Sequence, residues 1–541
     1  MSFTPKLKTL FGGSAFVALG ALGAVPGLAD TRLHILHMND FHSRIESINR
    51  YNSTCSAGDE ADGSCFGGAA RWVTLVTQMR NAITAQGDPV LLLDAGDASQ
   101  GSLFYTTYDG RIEAELLERL GVDAMAVGNH EFDNGPEGLA VFLDTLSAPV
   151  LSSNLDVSAN NMLAGRVAPY TILEAGDLRV GIVSALATDT VETSSPGPTV
   201  VFRDEIEALN EAVAMLQAEG AAPILALTHV GYRADQRIAA QVPGLAAVIG
   251  GHSHTYLSAT DPDREGPYPT WVDVEGGGIV PVVTAGAYGR YLGHLVLDLA
   301  DDGTLIYASG DVIELNAEVV PDAEVTAWVA ELAGPIEETR SQPVAEASAM
   351  IEGDRSICRQ LECAMGNLVA DAMLARVADQ GITIAIQNGG GLRSSIDEGT
   401  ITMGEVLSVL PFQNTLATFE LSGAAVVAAL ENGASQMADV AGRFAQVSGL
   451  QFAVDPNAPA GRRISDVMVR AEGGWAAIDP DTTYGVVSNN FVRSGGDGYS
   501  MFRDDAVNAY DYGPDVADVV AEYLTEHTPY MPYTDGRISI R

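Results

Sequence analysis

Side chains of the kinds that bind divalent metal ions follow five short apolar runs in the first half of the chain. The runs cover residues 33–37, 90–93, 124–127, 223–227 and 245–249, and each is typical of a buried β-strand. The polar residues that follow them are Asp40, His42, Asp97, Asn129, His130, His229, His252 and His254. Because ligands bind outside the carboxyl ends of strands in an open α/β sheet, we expect these residues to converge on one rim.

The set contains carboxylate, amide and imidazole groups but no thiolate, which suits Zn, Mn, Fe, Co or Mg. It exceeds the four ligands of one tetrahedral ion, so two ions that share a bridging carboxylate fit it better. Such a pair polarises a phosphoryl oxygen and lowers the pKa of a bound water molecule. Each residue taken alone also fits a structural role, and we interpret His34, His37, His294 and His527 in that way.

The motifs around these residues resemble, in order, those of the calcineurin-like metallophosphoesterases. They are H-M-N-D-F-H at 37–42, G-D at 96–97, G-N-H-E-F-D at 128–133, T-H at 228–229 and G-H-S-H at 251–254. The resemblance implies a first metal ion held by Asp40, His42, Asp97 and His254. It implies a second ion held by Asp97, Asn129, His229 and His252, so that Asp97 bridges the two.

The same resemblance implies that His130 is a catalytic residue and not a metal ligand. In that role it stabilises the transition state or protonates the leaving group, while Asp133 orients its ring. Zinc is the favoured pair of ions, with Mn, Co, Fe or Mg as alternatives. Some bacterial relatives carry Gln at the position of His254, which would alter metal preference and not the class of reaction.

Four segments of the second half resemble the substrate domain of the 5′-nucleotidases. They are C-R-Q-L-E-C-A-M-G-N-L at 358–368, Q-N-G-G-G-L-R at 387–393, L-P-F-Q-N at 410–414 and N-N-F-V-R-S-G-G-D-G-Y at 489–499. With the first-half motifs, the resemblance spans nearly the whole chain after residue 29. The arginine between two cysteines, Arg359, is most similar to the ecto-5′-nucleotidase branch, and bacterial periplasmic UDP-sugar hydrolases share the pattern.

The residue types in these segments suit a nucleotide. Arg359 and Arg393 present planar forks that bind phosphate oxygens in pairs. Phe412 and Phe491, if they face each other, could hold a nucleobase between them. Asp497 can accept hydrogen bonds from ribose hydroxyls, and Asn388 could contact the base or the sugar. Each also has a structural alternative, because a Phe after Pro is commonly part of a core.

The elements that must position these residues alternate between strand-like and helix-like from residue 30 to about 315, as an α/β sandwich requires. Helical periodicity is clear at 111–120 and 205–218, and again at 321–339, which we interpret as a bridging helix. The predicted division is residues 30–318, a linker helix over 319–343 and a second mixed α/β domain over 344–541. The resemblance implies an αββα sandwich for the first domain.

Residues 1–29 have the pattern of a secretory signal peptide, with Lys6 and Lys8 before an apolar stretch and small residues at 27–29. The alternative is a membrane anchor, but the stretch is short for a span and rich in glycine. A second long apolar run is absent from the sequence. We therefore expect an exported protein, periplasmic or extracellular, without integral membrane contact.

The chain is strongly acidic, with a formal net charge of −42. Its two lysines both lie in the first 29 residues, so the remainder has 27 Arg against 71 Asp and Glu, or −44. Such a charge repels polyanions and argues against nucleic-acid polymers as partners. The absence of lysine after residue 29 also excludes a phosphate-binding P-loop lysine and a Schiff-base lysine. Solubility alone also explains the acidity, which says nothing about substrate.

Four cysteines allow three disulfide connectivities. In an oxidising compartment the simplest of these is local, with Cys55 joined to Cys65 and Cys358 to Cys363. Neither pair has the C-x-x-C spacing of a structural zinc site.

Together, motifs and composition predict an exported, metal-dependent 5′-nucleotidase that hydrolyses nucleoside 5′-monophosphates in a cleft that closes between two domains. Broader hydrolysis of nucleotides or UDP-sugars at a pyrophosphate is an alternative, as is a 2′,3′-cyclic phosphodiesterase with 3′-nucleotidase activity. A nucleotide-binding protein without catalysis is a further alternative, against which Asp97, Asn129, His130 and Asp133 argue. The sequence leaves the oligomeric state and preferred base open.

Overall fold

The computed structural model describes residues 31–50, 52, 54–471, 473–511 and 513–541. The signal peptide predicted at 1–29 lies outside the described residues. Among the residues that are described, no helix combines the length and the apolar character needed to cross a membrane.

Two sheets and the helices around them form the first part of the chain. Its strands are β1 (Thr31–Met38), β2 (Val90–Asp94), β3 (Ala124–Ala126), β4 (Val150–Leu151), β5 (Leu155–Asp156), β6 (Val167–Ala168), β7 (Tyr170–Ala175), β8 (Leu178–Leu186), β9 (Val201–Phe202), β10 (Ile224–His229), β11 (Ala247–Gly250), β12 (Leu257–Ser258), β13 (Gly266–Pro267), β14 (Thr270–Asp273), β15 (Ile279–Val283), β16 (Tyr291–Leu299) and β17 (Leu305–Glu314). Its helices are α1 (Ala57–Asp62), α2 (Ala69–Thr84), α3 (Leu103–Tyr108), α4 (Arg111–Leu120), α5 (Gly135–Thr145), α6 (Thr190–Thr193), α7 (Glu205–Ala218), α8 (Tyr232–Gln241) and α9 (Ala323–Arg340).

The larger sheet has the strand order β17-β16-β1-β2-β3-β4-β6, and the other has β14-β15-β11-β10-β8-β7. In the first sheet β1, β2, β3, β4 and β6 are parallel, and in the second β8, β10, β11 and β15 are parallel. Parallel strands are buried on both faces, which explains their almost continuous apolar sequences.

Alternation along each strand divides the core into layers. In β1, Leu33 and Ile35 pack against Ile182 and Leu225 of the other sheet, whereas Leu36 faces the helices. Helices α2, α4, α5 and α9 cover the first sheet, and α7 and α8 cover the second. The αββα sandwich is therefore confirmed.

The predicted helices are present with nearly the predicted bounds. Helices α4 and α7 begin and end at the predicted residues. Helix α9 begins after Asp322, whose carboxylate accepts hydrogen bonds from the backbone of Glu324 and Val325 at 2.9 Å. It packs Val325 and Ile336 into the helical layer of the first domain and also contacts the second domain. It is thus a bridging helix that belongs largely to the first core.

The second part of the chain is a mixed α/β domain. Its strands are β18 (Pro343–Ala347), β19 (Ile384–Asn388), β20 (Gly399–Thr402), β21 (Leu416–Ser422), β22 (Ala445–Ser448), β23 (Leu450–Val454), β24 (Ile464–Ala471), β25 (Gly474–Ala477), β26 (Thr483–Asn489), β27 (Val507–Tyr510) and β28 (Ile538–Ile540). Its helices are α10 (Arg355–Cys358), α11 (Ala364–Arg376), α12 (Met403–Val409), α13 (Gly423–Ala434), α14 (Asn490–Arg493), α15 (Ser500–Asp504) and α16 (Val516–Glu526).

Its central sheet has the order β22-β19-β26-β21-β27 and separates two apolar clusters. Ile384 and Ile386 of β19 face one cluster, while Ala385 between them faces the other. The sheet ends at Asn388 and at Asn489, so the polar segments that resemble a substrate domain start at its edge.

Both disulfides are local, as the sequence predicts. Cys55 and Cys65 are joined with a Cα–Cα distance of 6.1 Å, and Cys358 and Cys363 with a distance of 5.2 Å. The second of these closes the short loop that carries Arg359.

Candidate active site

The predicted metal ligands meet at the carboxyl ends of five strands, but these strands belong to two sheets. Strands β1, β2 and β3 lead to the ligands from 40 to 129, and β10 and β11 lead to those from 229 to 254. The residues converge on one rim, as expected, and this rim is shared by the two packed sheets. A five-strand pattern in sequence cannot distinguish one sheet from two, because both place the strand ends on one side.

The backbone turns sharply at most of these positions. Asp40, His42, Asp97, His252 and His254 have φ values of 50°, 50°, 57°, 78° and 57°. Non-glycine residues rarely adopt this left-handed conformation, and its strain is typical of functional sites. The turns aim side chains from successive loops at one point instead of letting them alternate as in a strand.

One group of ligand atoms comes from Asp40, His42 and His254. The Nε2 atoms of His42 and His254 lie 2.9 Å apart, and His254 Nε2 lies 3.2 Å from Asp40 Oδ1. The Nδ1–H of His42 donates to the backbone oxygen of Gln100 at 3.2 Å, so its Nε2 presents a lone pair to the site. Converging lone pairs beside a buried carboxylate suit a cation.

A second group comes from Asp97, His229 and His252. His229 Nε2 lies 3.0 Å from Asp97 Oδ2, and His252 Nδ1 lies 2.8 Å from Asn129 Oδ1. The Nδ1–H of His229 donates to the oxygen of Ala95 at 2.7 Å, which directs Nε2 towards the Asp97 carboxylate. The donor set of this group therefore also fits a divalent metal ion.

Asp97 lies between the two groups. Its Oδ2 is 3.9 Å from His42 Nε2 of the first group and 3.0 Å from His229 of the second. The loops that carry it are held by Glu131, whose carboxylate accepts hydrogen bonds from the backbone of Asp97, Ser99 and Gly128 at 2.8–3.1 Å.

Hydrogen bonds hold both the backbone and the ring of His130. Its backbone N–H donates to Asp97 Oδ1 at 2.9 Å, and its ring Nδ1–H donates to Asp133 Oδ2 at 2.6 Å. Burial alone would lower the pKa of His130, but the carboxylates of Asp133 and Asp97 outweigh it, and the pKa is raised. His130 also forms a group with His42 and Asp97 whose ligand atoms lie within 4.8 Å, so the distances alone would also admit it as a ligand.

Two of the predicted substrate residues reach this centre from the second domain. The Arg393 guanidinium lies 3.2 Å from His42 Nε2 and 5.5 Å from the ring centre of Phe412. The Phe412 ring in turn lies 5.8 Å from that of His130. The cleft between the domains is thus closed in this structure, and both halves border it.

The other substrate residues lie farther along the same face. Asn388 donates to Asp497 Oδ2 at 2.6 Å, and Asn489 donates to Asn388 Oδ1 at 3.0 Å. Phe491 packs against Gly496 and the second-domain core, and between these described residues no ring contact joins Phe491 to Phe412. The two phenylalanines are therefore not stacked on each other.

Three further residues of this cleft were not identified from sequence: Arg44, Tyr288 and Arg355. The Arg44 guanidinium lies 4.9 Å from the ring centre of Tyr288, and that ring lies 5.2 Å from His254 and 5.6 Å from His42. Arg355 is half-buried, and its buried NH1 has no hydrogen-bond partner among the described residues.

The arginines dominate the electrostatics of the cleft. Burial alone would raise the pKa of Tyr288, but the charges of Arg393, Arg355, Arg44 and Arg359 outweigh it and lower the pKa. Arg44 follows His42 by two residues, and Arg355 precedes Arg359 by four, so their spacing was a signal that the sequence contained. The arrangement suits a phosphate group, which carries negative charge and several acceptor oxygens.

Two family models match this chain, one in each of its two parts. The family model for calcineurin-like phosphoesterase matches residues 33–256, and that for the 5′-nucleotidase C-terminal domain matches residues 343–504. The 5′-nucleotidase of Bos taurus is 36% identical over 557 residues, which cover 99% of this chain and 94% of the relative. The 5′-nucleotidase of Homo sapiens is also 36% identical, over an alignment that covers 96% of this chain and 93% of the relative.

A solved structure gives the same result. The 5′-nucleotidase precursor from Thermus thermophilus matches with a TM-score of 0.88 and 38% sequence identity. The match covers 94% of this chain and 99% of the other.

Proposed function

The chain belongs to the 5′-nucleotidase family, and from this premise we propose that it cleaves nucleoside 5′-monophosphates to nucleoside and phosphate in the cleft between its domains. It is a metal-dependent phosphoric monoester hydrolase. The observation that carries the proposal is the approach of Arg393 to within 3.2 Å of the proposed ligand His42, because a phosphate group held by Arg393 would then lie beside the proposed metal site.

We propose two ions, with zinc favoured and Mn, Co, Fe or Mg as alternatives. The first would be held by Asp40, His42, Asp97 and His254, and the second by Asp97, Asn129, His229 and His252. When bound, such ions supply Lewis acidity to a phosphoryl oxygen and lower the pKa of a coordinated water molecule.

His130 is the proposed proton donor to the leaving ribose oxygen. The hydrogen bond of 2.6 Å from its Nδ1 to Asp133 turns Nε2 towards the cleft, and the raised pKa of the ring favours a proton on that atom. Arg359 and Arg393 bind and orient the phosphate oxygens through their positively charged guanidinium groups, whose planar shape matches pairs of oxygens.

The nucleoside is proposed to contact the second domain. Phe412 borders a cleft that is also lined by Gln387, Asn414 and Asn489, so its ring is available on one face. Stacking of a base on Phe412 and Phe491 contributes about 1–3 kcal/mol per base and tolerates different bases. Asp497 accepts hydrogen bonds from the ribose hydroxyls, and Asn388, which is bonded to it, orients it.

The broader alternatives are not favoured by the relatives, which are named 5′-nucleotidases. We also propose export to the periplasm or the extracellular space, which the two disulfides support because oxidising compartments preserve such bonds. The division at 318 and 344 stays our proposal, and the start of the match to the 5′-nucleotidase C-terminal domain at residue 343 supports its second boundary.

Phosphate release from AMP is the direct test, with the purified protein supplied with Zn, Mn, Co or Mg and then treated with a chelator. We expect release that the chelator abolishes and metal restores. ADP, ATP, UDP-glucose and 2′,3′-cyclic AMP test the alternatives with their products separated by chromatography, because cleavage of UDP-glucose or of the cyclic ester does not itself release phosphate. Faster turnover of any of these than of AMP would refute the proposed substrate, and no metal-dependent cleavage of any of them would refute hydrolysis itself.

A further inference from the structure

Ser194 makes a hydrogen bond that connects it to the proposed proton donor. Its buried hydroxyl donates to Asp133 Oδ1 at 2.7 Å, while the other oxygen of the same carboxylate accepts from His130 Nδ1 at 2.6 Å. Ser194, Asp133 and His130 thus form a chain of side chains, and nothing in the motif around His130 identifies its first member, which lies 61 residues farther along the sequence than Asp133.

The Ser194 bond limits how the carboxylate can turn. The terminal torsion of an aspartate is soft, so a carboxylate held only through one oxygen can rotate and carry its partner with it. A second hydrogen bond to the other oxygen fixes its plane, and bonds to a charged acceptor are stronger than those between neutral groups. Partners of this kind orient the groups they contact without touching the substrate.

The segment that carries Ser194 is itself tied to the centre. Ser194 follows α6, and its backbone N–H donates to the oxygen of Thr190 at 3.0 Å. The hydroxyl of Thr190 donates to Ala187, whose N–H donates to the backbone oxygen of the proposed ligand His229 at 3.0 Å. On its other side α6 contacts the turn Gly496–Gly498, which carries Asp497 of the second domain.

We propose that Ser194 is a positioning residue, which holds the Asp133 carboxylate so that His130 Nε2 faces the leaving oxygen. This inference rests on the proposed function. Because α6 contacts the turn that carries Asp497, the closed arrangement of the domains supports the same segment. Ser194 therefore acts on turnover through Asp133 and not on the affinity for nucleotide.

Ser194→Ala, assayed with AMP in the metal-loaded full-length protein, tests this. We expect kcat to fall about tenfold, as the loss of one charge-assisted hydrogen bond implies, while KM and metal content stay unchanged. Ser194→Thr should restore most of kcat, because it retains the hydroxyl. The neighbouring exposed serine provides a matched control, and Ser195→Ala should leave kcat unchanged.

A double-mutant cycle with Asp133→Asn distinguishes positioning from a general structural effect. If Ser194 acts through Asp133, adding Ser194→Ala to Asp133→Asn should lower kcat no further. An equal fall in both backgrounds, an unchanged kcat in the single variant, or a fall confined to KM would overturn the inference. An inactive wild-type protein would instead refute the proposed function, so the two failures are distinguishable.

Discussion

Glu113, on the helical side of the first sheet, leads to a quantitative prediction. It is a glutamate of α4 with 1% of its surface exposed, and the Ser43 hydroxyl donates to its Oε1. Its Oε2 has no hydrogen-bond partner among the described residues. Burial therefore raises the pKa of Glu113 to about 7 from an ordinary value of 4.5, although the bond from Ser43 opposes this.

The sign of the effect on stability follows from that shift. The folded protein holds the Glu113 proton more tightly than the unfolded chain, so the contribution of this group is full below pH 4.5. It is lost as the pH rises through about 7. A difference of about 2.5 pKa units corresponds to about 3 kcal/mol in the free energy of unfolding. Glu113→Gln, which stays neutral and can still accept from Ser43, should remove this dependence.

Denaturant unfolding at pH 5 and at pH 8 measures it. We expect Glu113→Gln to lie within about 1 kcal/mol of the wild type at pH 5 and to exceed its free energy of unfolding by about 3 kcal/mol at pH 8. Glu115→Gln on the same helix is the control, because Glu115 is 38% exposed beside Arg111 and such pairs contribute less than about 1 kcal/mol. If the difference between wild type and Glu113→Gln is the same at both pH values, the carboxyl group is not held neutral in the folded state and the reasoning is wrong.

Three further predictions concern the cleft. Asp97→Asn should lower both the metal content and kcat, the latter by orders of magnitude. His130→Ala should lower kcat while the protein still binds about two metal ions per chain, and loss of metal from this variant would contradict the proposed role of His130. Phe412→Ala should raise the KM for AMP by roughly tenfold and the KM for para-nitrophenyl phosphate by less. A melting temperature far below that of the wild type would show instead that the Phe412 ring is part of the core. The side chains of Asn49 and Asp397 meet across the domains at 3.3 Å, so cysteines at both positions, once oxidised, should block multiple turnover reversibly; full activity of the verified crosslink would exclude domain motion.

Much of the first domain could be predicted from sequence because its features are local. Helix α4 follows from Ile112, Leu116 and Leu120 on one face and ends at Gly121, which adopts a φ of 64°. The strands before the metal ligands are short apolar runs, which their flanking polar residues delimit.

The residues that sequence did not identify depend on contacts between distant segments. Ser194 reaches Asp133 across 61 positions, and Tyr288 reaches His42 only because a left-handed turn with a φ of 60° aims its ring at the centre. The division of the ligand-bearing strands between two sheets also depends on contacts between distant segments, because the sequence of a strand does not specify which strand it pairs with. The relation of Phe412 to Phe491 likewise depends on how two loops fold, which their motifs do not specify.

The cleft is positively charged, whereas the whole chain is strongly negative, and this difference relates phosphate binding to closure of the two domains. The net charge of −42 repels large polyanions, yet the buried Arg44, Arg359 and Arg393 and the half-buried Arg355 lie together around Tyr288. Burial, and then the neighbouring arginines, lower the pKa of Arg359 well below its ordinary value.

A phosphate group between the arginines would offset both the repulsion and the lost hydration, because each guanidinium gains an anionic acceptor. Separation of the domains would instead move Arg393 away from His42 and return the guanidinium groups to water. We therefore expect the closed cleft to be more stable with a bound phosphate than without one. On this reasoning we expect phosphate to favour closure of the domains, and a neutral nucleoside alone to favour it less.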